Sequence, residues 1–396
     1  MIHMAGDEIL PFRVQVPQKD LDDLNVRLDL TRWPDELPGV GWAYGVPLGY
    51  LRELVGYWRH DYDWRAAEAA LNEWPQFTTV IDGATVHFAH IRSPEPDATP
   101  LIMTHGWPGS IVEFTEVAGP LTDPRRHGGD PADAFHLVLP SIPGFTLSGP
   151  TTEPGWEFRR VGAAFGELMR RLGYGRYGTQ GGDWGAAIAR EIGRTRPEQI
   201  IGVHLNLLPG ASAAAEPTEE ELAGLDPVER AATLASWARQ EEWDRERVGY
   251  AVLQASRPQT LSYALADSPV GQLAWIAEKF AEWSDPGIAL DRDHLLTNVM
   301  LYWLTGTGGS SGRVYYERAH TDYGGPMYLP SSAPTALAVL PHDNFIPLRH
   351  IADRSNNMVR WTPFERGGHF AAMEVPAELV ADIRGFFGSL RLGPRG

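Results

Sequence analysis

The stretch "GTQGGDWGAAIAR", residues 178–190, places a carboxylate at the point where an apolar run passes through glycines into a helical pattern. Gly181, Gly182, Asp183, Trp184 and Gly185 fit the frame Gly-x-nucleophile-x-Gly, with aspartate where serine is more familiar. Small residues suit such a turn, because side chains there would collide with the adjoining strand and helix. A helix starting near Ala186 would point its N-terminal N–H groups at the carboxylate and favour its ionised form. The plainer alternative is an aspartate that only caps a helix.

Three further segments could complete the chemistry. "THGWPGS" (104–110) follows a strand pattern and would bring the backbone N–H of Trp107 beside the turn. Together with the N–H of Trp184 it would form a two-donor oxyanion hole, with His105 in a structural role. "RGGHFAAMEVP" (366–376) puts His369 after a Gly-Gly turn, where it could activate water. "VLPHDNFIP" (339–347) puts Asp343 just beyond a strand end, where it could orient His369. Asp353 and Glu365 compete for that role, but neither sits at a clear strand terminus. The order Asp183, Asp343, His369 is nucleophile, acid, histidine.

A carboxylate nucleophile has a specific use. A serine attacking a saturated carbon would leave an ether that water cannot readily cleave, whereas Asp183 would leave an ester that water can hydrolyse. Epoxides and haloalkanes are the two substrate classes this admits. An epoxide oxygen needs a proton or a strong hydrogen bond, which a tyrosine with a pKa near roughly 10 can give. A halide needs only N–H donors such as indoles. "RVGYAVLQASRPQT" offers Tyr250, and "GRVYYERA" offers Tyr315 and Tyr316. Packing alone would also account for any one of them.

These residues must be positioned by a scaffold. Residues 1–75 read as short helices joined by turns, with Leu21, Leu24 and Leu28 on one face. Residues 76–209 alternate compact apolar strands with helices, which predicts an α/β class with a mostly parallel sheet flanked by helices. Residues 210–330 are helical and charged, opening with a capping-box pattern at Thr218, and predict a helical lid inserted in the α/β domain. "GTGGSSG" (306–312) reads as a loop. Residues 331–396 return to strands and end in an amphipathic helix. The expectation is an α/β-hydrolase fold with a helical lid and an N-terminal helical meander.

Composition narrows the classes further. The net charge of −17 argues against nucleic acid and against an anionic membrane surface. With no cysteine, thiol catalysis and zinc-thiolate sites are excluded. The N-terminus lacks the apolar core of a signal peptide, and no stretch approaches the roughly 20 apolar residues of a spanning helix. The expectation is a soluble, cytoplasmic protein without a membrane anchor. No metal or dinucleotide motif is present, so no cofactor is expected. A homo-oligomer is compatible with the sequence.

The set "HGWPGS", "GGDWG", "YAVLQASRPQTLSYALADSPVGQLAWIAEKF", "LTGTGGSSGRVYYE" and "RGGHFAAMEVP", with the N-terminal "VPQKDLDDLNVRL…TRWPDEL", resembles the microsomal-type epoxide hydrolases over nearly the whole chain. The resemblance implies Asp183 as nucleophile, His369 as water-activating base and Asp343 as its acid. It implies Tyr250 and Tyr315 as the lid residues that grip the epoxide, with neighbouring Tyr316 the competitor for the second place. Membrane-anchored members carry an N-terminal apolar helix that has no counterpart here. The implied partner is a small-molecule epoxide, which the fourteen tryptophans suggest is apolar or aryl. Detoxification and natural-product biosynthesis would both fit such an activity. The rival readings are a haloalkane dehalogenase using the same aspartate and a non-catalytic α/β-hydrolase acting as a binding protein.

Overall fold

A computed structural model describes residues 8–391. The signal-peptide reading therefore begins, at residues 1–7, outside the described residues, and the last expected segment extends past them. The N-terminal part holds a short strand β1 (Leu10–Phe12) and helices α1 (Gln18–Asp29), α2 (Leu48–His60) and α3 (Trp64–Leu71). Leu21, Leu24 and Leu28 of α1 are buried together, as their spacing predicts. Strand β1 is an addition to the expected helices: it pairs antiparallel with β2 and extends the sheet at its edge.

The first part of the core runs β2 (Gln76–Ile81), β3 (Ala84–Ile91), β4 (Thr99–Thr104), α4 (Thr115–Thr122), β5 (Phe135–Pro140), α5 (Phe158–Arg171), β6 (Tyr177–Gly181), α6 (Asp183–Thr195) and β7 (Ile200–Leu205). After β7 the chain is helical: α7 (Glu219–Ala223), α8 (Pro227–Glu246), α9 (Gly249–Ser256), α10 (Pro258–Asp267), α11 (Pro269–Trp283), α12 (Arg292–Thr305), α13 (Gly308–Ser311) and α14 (Arg313–His320). It returns through β8 (Ser331–Val339), α15 (Arg349–Ala352), β9 (Asn356–Pro363), α16 (Ala371–Glu374) and α17 (Pro376–Arg391).

The strands form one sheet in the order β1-β2-β3-β5-β4-β6-β7-β8-β9. From β5 to β9 every pairing is parallel, and β1 to β3 join antiparallel. Covered on both faces, the central strands have no need of polar alternation: Leu101, Ile102 and Met103 of β4 are all fully buried. This is the α/β-hydrolase arrangement, with the helical insertion between β7 and β8.

Two local expectations need correction. Helix α6 starts at Asp183 itself, three residues before Ala186. The "GTGGSSG" segment is not simply a loop: Gly306 ends α12 in a left-handed conformation and Gly308–Ser311 form the short helix α13. Its glycines read as loop residues, but they permit close packing, since a Cβ on Gly309 would fall on the Ser262 side chain of α10.

The N-terminal helices brace the insertion. The Trp58 indole N–H donates to the Met300 sulfur at 3.3 Å, and Tyr57 donates to Asp293 at 2.8 Å. Both partners lie on α12, which in turn reaches the core.

Candidate active site

Asp183 sits between β6 and the body of α6 at φ 50°, a left-handed conformation uncommon for a residue with a side chain. The strain is tolerated because the surroundings leave no other course. A Cβ on Gly185 would land on the carbonyl of Thr104 at the end of β4, so helix and strand approach at backbone distance. Gly182 is the N-cap of α6, so Asp183 is the first residue of the helix and not its cap. Instead its Oδ1 accepts the backbone N–H of Trp107 at 2.8 Å. The capping alternative is thereby replaced by a contact between the two glycine-rich turns.

The Trp107 turn is held from above. Asn298 Nδ2 donates to the Pro108 carbonyl at 2.8 Å, and the Tyr302 hydroxyl donates to the Gly109 carbonyl at 2.7 Å. Both come from α12, so the insertion fixes the direction of the Trp107 N–H. His105 is buried, with Nδ1–H donating to the Gly106 carbonyl and Nε2 accepting the Ile142 N–H. Burial lowers its pKa to about 4, which keeps it neutral, in keeping with a structural role.

On the other side of Asp183 stands His369. Its Nε2 lies 3.4 Å from Asp183 Oδ2, and its Nδ1–H donates to Asp343 Oδ1 at 2.7 Å. The Asn344 N–H, also at 2.7 Å, fixes the same carboxylate oxygen. Burial acts to lower the His369 pKa, but Asp343 and Asp183 more than offset it and hold the imidazole well above its ordinary value. The two other acids considered for this place are elsewhere: Asp353 pairs with Arg349 at 3.3 Å, and Glu365 is exposed.

The loop carrying His369 is tied down through four consecutive amides. Gly367 N–H donates to Asp285 Oδ2 at 2.8 Å, Gly368 N–H to Glu374 Oε2 at 2.9 Å, His369 N–H to the Trp283 carbonyl at 2.9 Å, and Phe370 N–H to Glu374 Oε1 at 2.9 Å. Glu374 also accepts the Asp285 N–H at 2.7 Å. Asp285 and Glu374 were not singled out in the sequence. The one hint was that Glu374 follows the His369 turn within the same short motif.

Helices α9 and α14 bring Tyr250 and Tyr315 together over this cluster. Both are buried, with ring centroids 5.8 Å apart. Tyr250 stacks on Trp107 at 5.0 Å and 9°, and Tyr315 meets Trp184 edge-on at 4.9 Å. Burial above all, followed by the Asp183 charge for Tyr250 and by Tyr250 and then Asp183 for Tyr315, raises both phenols above the ordinary tyrosine pKa, so each keeps its proton at neutral pH. Tyr316 is exposed and stacks on His320 at 3.9 Å, which leaves Tyr315 as the member of the pair that faces Asp183. Trp243 and Trp283 extend the aromatic wall around Tyr250.

Glu113 also escaped the sequence reading. It lies on the turn Ile111–Phe114, and its carboxyl packs against Gly109, where a Cβ would overlap it. Although the residue keeps some exposed surface, burial of its carboxyl, aided by the Asp183 charge, pushes its pKa up to about 8. Nothing in the spacing "WPGSIVEF" marks it. Among the described residues there is no cluster of three or more His, Cys, Asp or Glu that could hold a metal ion. Nor is any helix long and apolar enough to cross a membrane.

A parallel sheet with a strained carboxylate at the β6–α6 turn, and with an acid and a histidine beyond β8 and β9, defines an α/β-hydrolase-fold enzyme. The family described as "alpha/beta hydrolase fold" matches residues 99–376, and that described as "Epoxide hydrolase N terminus" matches residues 9–114. A Stigmatella aurantiaca protein provisionally named an epoxide hydrolase is 44% identical over 97% of this chain and 86% of its own length. Epoxide hydrolase 1 of Oryctolagus cuniculus is 33% identical over 98% of this chain and 90% of its own. The solved structure of Aspergillus niger epoxide hydrolase superposes with a TM-score of 0.83 at 33% identity, covering 96% of both chains. The chain belongs to the epoxide hydrolase family.

Proposed function

We propose that this enzyme converts an epoxide and water to a vicinal diol through a covalent ester on Asp183. The observation that carries the reading is the pairing of two buried phenols, Tyr250 and Tyr315, over a carboxylate oriented by both Trp107 and His369. Phenols supply what an epoxide oxygen needs and a halide does not, which favours the first of the two substrate classes.

In the first step Asp183 attacks a ring carbon from the side facing His369, and Tyr250 or Tyr315 gives its proton to the opening oxygen. Ester formation removes the Asp183 charge, one of the two that hold the imidazole protonated. The His369 pKa then falls, the imidazolium releases its proton, and the neutral ring becomes a useful base. In the second step His369, oriented by Asp343, takes a proton from the water that attacks the ester carbonyl. The N–H of Trp107, already aimed at Asp183 Oδ1, stabilises the oxyanion with that of Trp184 as the second donor. The aromatic wall of Trp107, Trp184, Trp243 and Trp283 supports an apolar or aryl substrate.

The test is one turnover in heavy-oxygen water with enzyme in excess. The label is expected in the Asp183 carboxylate, while the first diol released carries enzyme-derived oxygen. Label entering that diol directly would overturn the ester mechanism.

A further inference from the structure

Of the chain's 34 basic residues only two are lysines, Lys19 and Lys279. Lys279 lies on α11 and is buried, with 3% of its surface exposed. Its Nζ stands 4.7 Å from the ring centroid of Tyr250 and 5.8 Å from that of Trp283. Glu278 and Glu282 accept from it at 2.5 and 3.2 Å. Glu282 is shared with Arg247, 3.9 Å away. A buried ammonium is costly, and a stabilising ion pair on a helix surface would need neither the burial nor the ring. A compact point charge over a phenol does have one direct effect: it favours any state in which the ring carries negative charge.

Resting on the mechanism above, we propose that Lys279 promotes epoxide opening through Tyr250, its ammonium stabilising the negative charge the phenol acquires as it gives up its proton. An Asp183 oxygen forms a bond to the ring carbon, the ring C–O bond breaks with its electron pair going to oxygen, and the Tyr250 proton moves to that oxygen. The phenolate left behind lies under the ammonium, which transfers nothing. The proton that His369 gives up once the ester has formed restores the phenol, and the proton His369 then takes from water returns it to its resting state. Lys279 touches no reacting atom and serves only the first half-reaction. The other charged or titratable groups acting on Tyr250 are Asp183, Tyr315, Glu282 and Arg318, and of these Asp183 and Glu282 oppose phenolate formation. Lys279 therefore supplies a positive charge close to a ring that two carboxylates disfavour ionising.

The experiment measures both half-reactions of the full-length enzyme by stopped-flow tryptophan fluorescence with styrene oxide. Lys279→Met is expected to slow ester formation about tenfold and to leave ester hydrolysis nearly unchanged, with Lys279→Arg closer to wild type. In a Tyr250→Phe background Lys279→Met should add no further slowing. Glu282→Gln, at a partly exposed position, should match or exceed the wild-type rate of ester formation, and it provides the reading if Lys279→Met does not fold. Equal slowing of both half-reactions, undiminished slowing in the Tyr250→Phe background, or a loss in Glu282→Gln would overturn the proposal. Unchanged ester formation in Tyr250→Phe would overturn it as well, because Tyr315 would then be the donor; if no ester can be trapped in the wild type, the underlying mechanism fails instead.

Discussion

The two halves of the site are built on different physical terms. Asp183, its Trp107 donor and His369 are positioned by main-chain groups: a glycine with no room for a Cβ, a backbone N–H on a carboxylate, four amides tied in sequence. Tyr250 and Tyr315 are positioned by rings meeting rings across separate helices. Backbone geometry of the first kind is all-or-none, while aromatic packing tolerates small adjustments. The Asp183 side should therefore fail by losing its structure, and the insertion's side by losing its chemistry.

Three substitutions put that contrast at risk. Gly185→Ala sets a methyl group against the Thr104 carbonyl, and the expected outcome is loss of soluble, folded protein, read by expression and circular dichroism. A well-folded Gly185→Ala enzyme would remove the basis for the contrast. Tyr250→Phe combined with Tyr315→Phe keeps every ring contact and deletes only hydroxyls. Its thermal midpoint should stay near that of the wild type while epoxide turnover falls by about 10²- to 10⁴-fold. A large drop in midpoint would place the phenols among the structural groups instead.

The smallest effect is expected at Glu113, whose carboxyl feels the Asp183 charge. Its folded pKa of about 8 lies above the ordinary carboxyl value of 4.5, so the folded state holds a proton that the unfolded chain has released. That contribution is full below about pH 4.5, declines as pH rises towards 8, and is absent above it. Glu113→Gln cannot titrate. The advantage of wild type over the variant in thermal midpoint should shrink by a few degrees between pH 5 and 8 and then level off. Parallel midpoints across that range would contradict the assignment.

The same difference decides what could be read in advance. "GGDWG", "HGWPGS" and "RGGHF" were legible because close backbone approaches demand glycine at fixed offsets, and the demand is local in the chain. Asp343 was legible because it follows a strand end. Tyr250 and Tyr315 are 65 residues apart; the need for a phenol in the insertion picked out Tyr250, Tyr315 and Tyr316, and the family resemblance paired Tyr250 with Tyr315. Asn298, Tyr302, Asp285 and Glu374 act by hydrogen bonds to backbone groups distant in sequence or across a turn, so no periodicity exposes them. The β1 strand was missed because three residues give too short a pattern to register, and its pairing with β2 is made across more than sixty positions.

The tether between Trp283, Asp285, Glu374 and the His369 loop bears on how a substrate gets in. A gate needs a hinge, and the end of α11 cannot serve as one, since any swing there would carry the imidazole away from Asp183. Ingress must leave that post standing and use the spans of the canopy that hold no part of it.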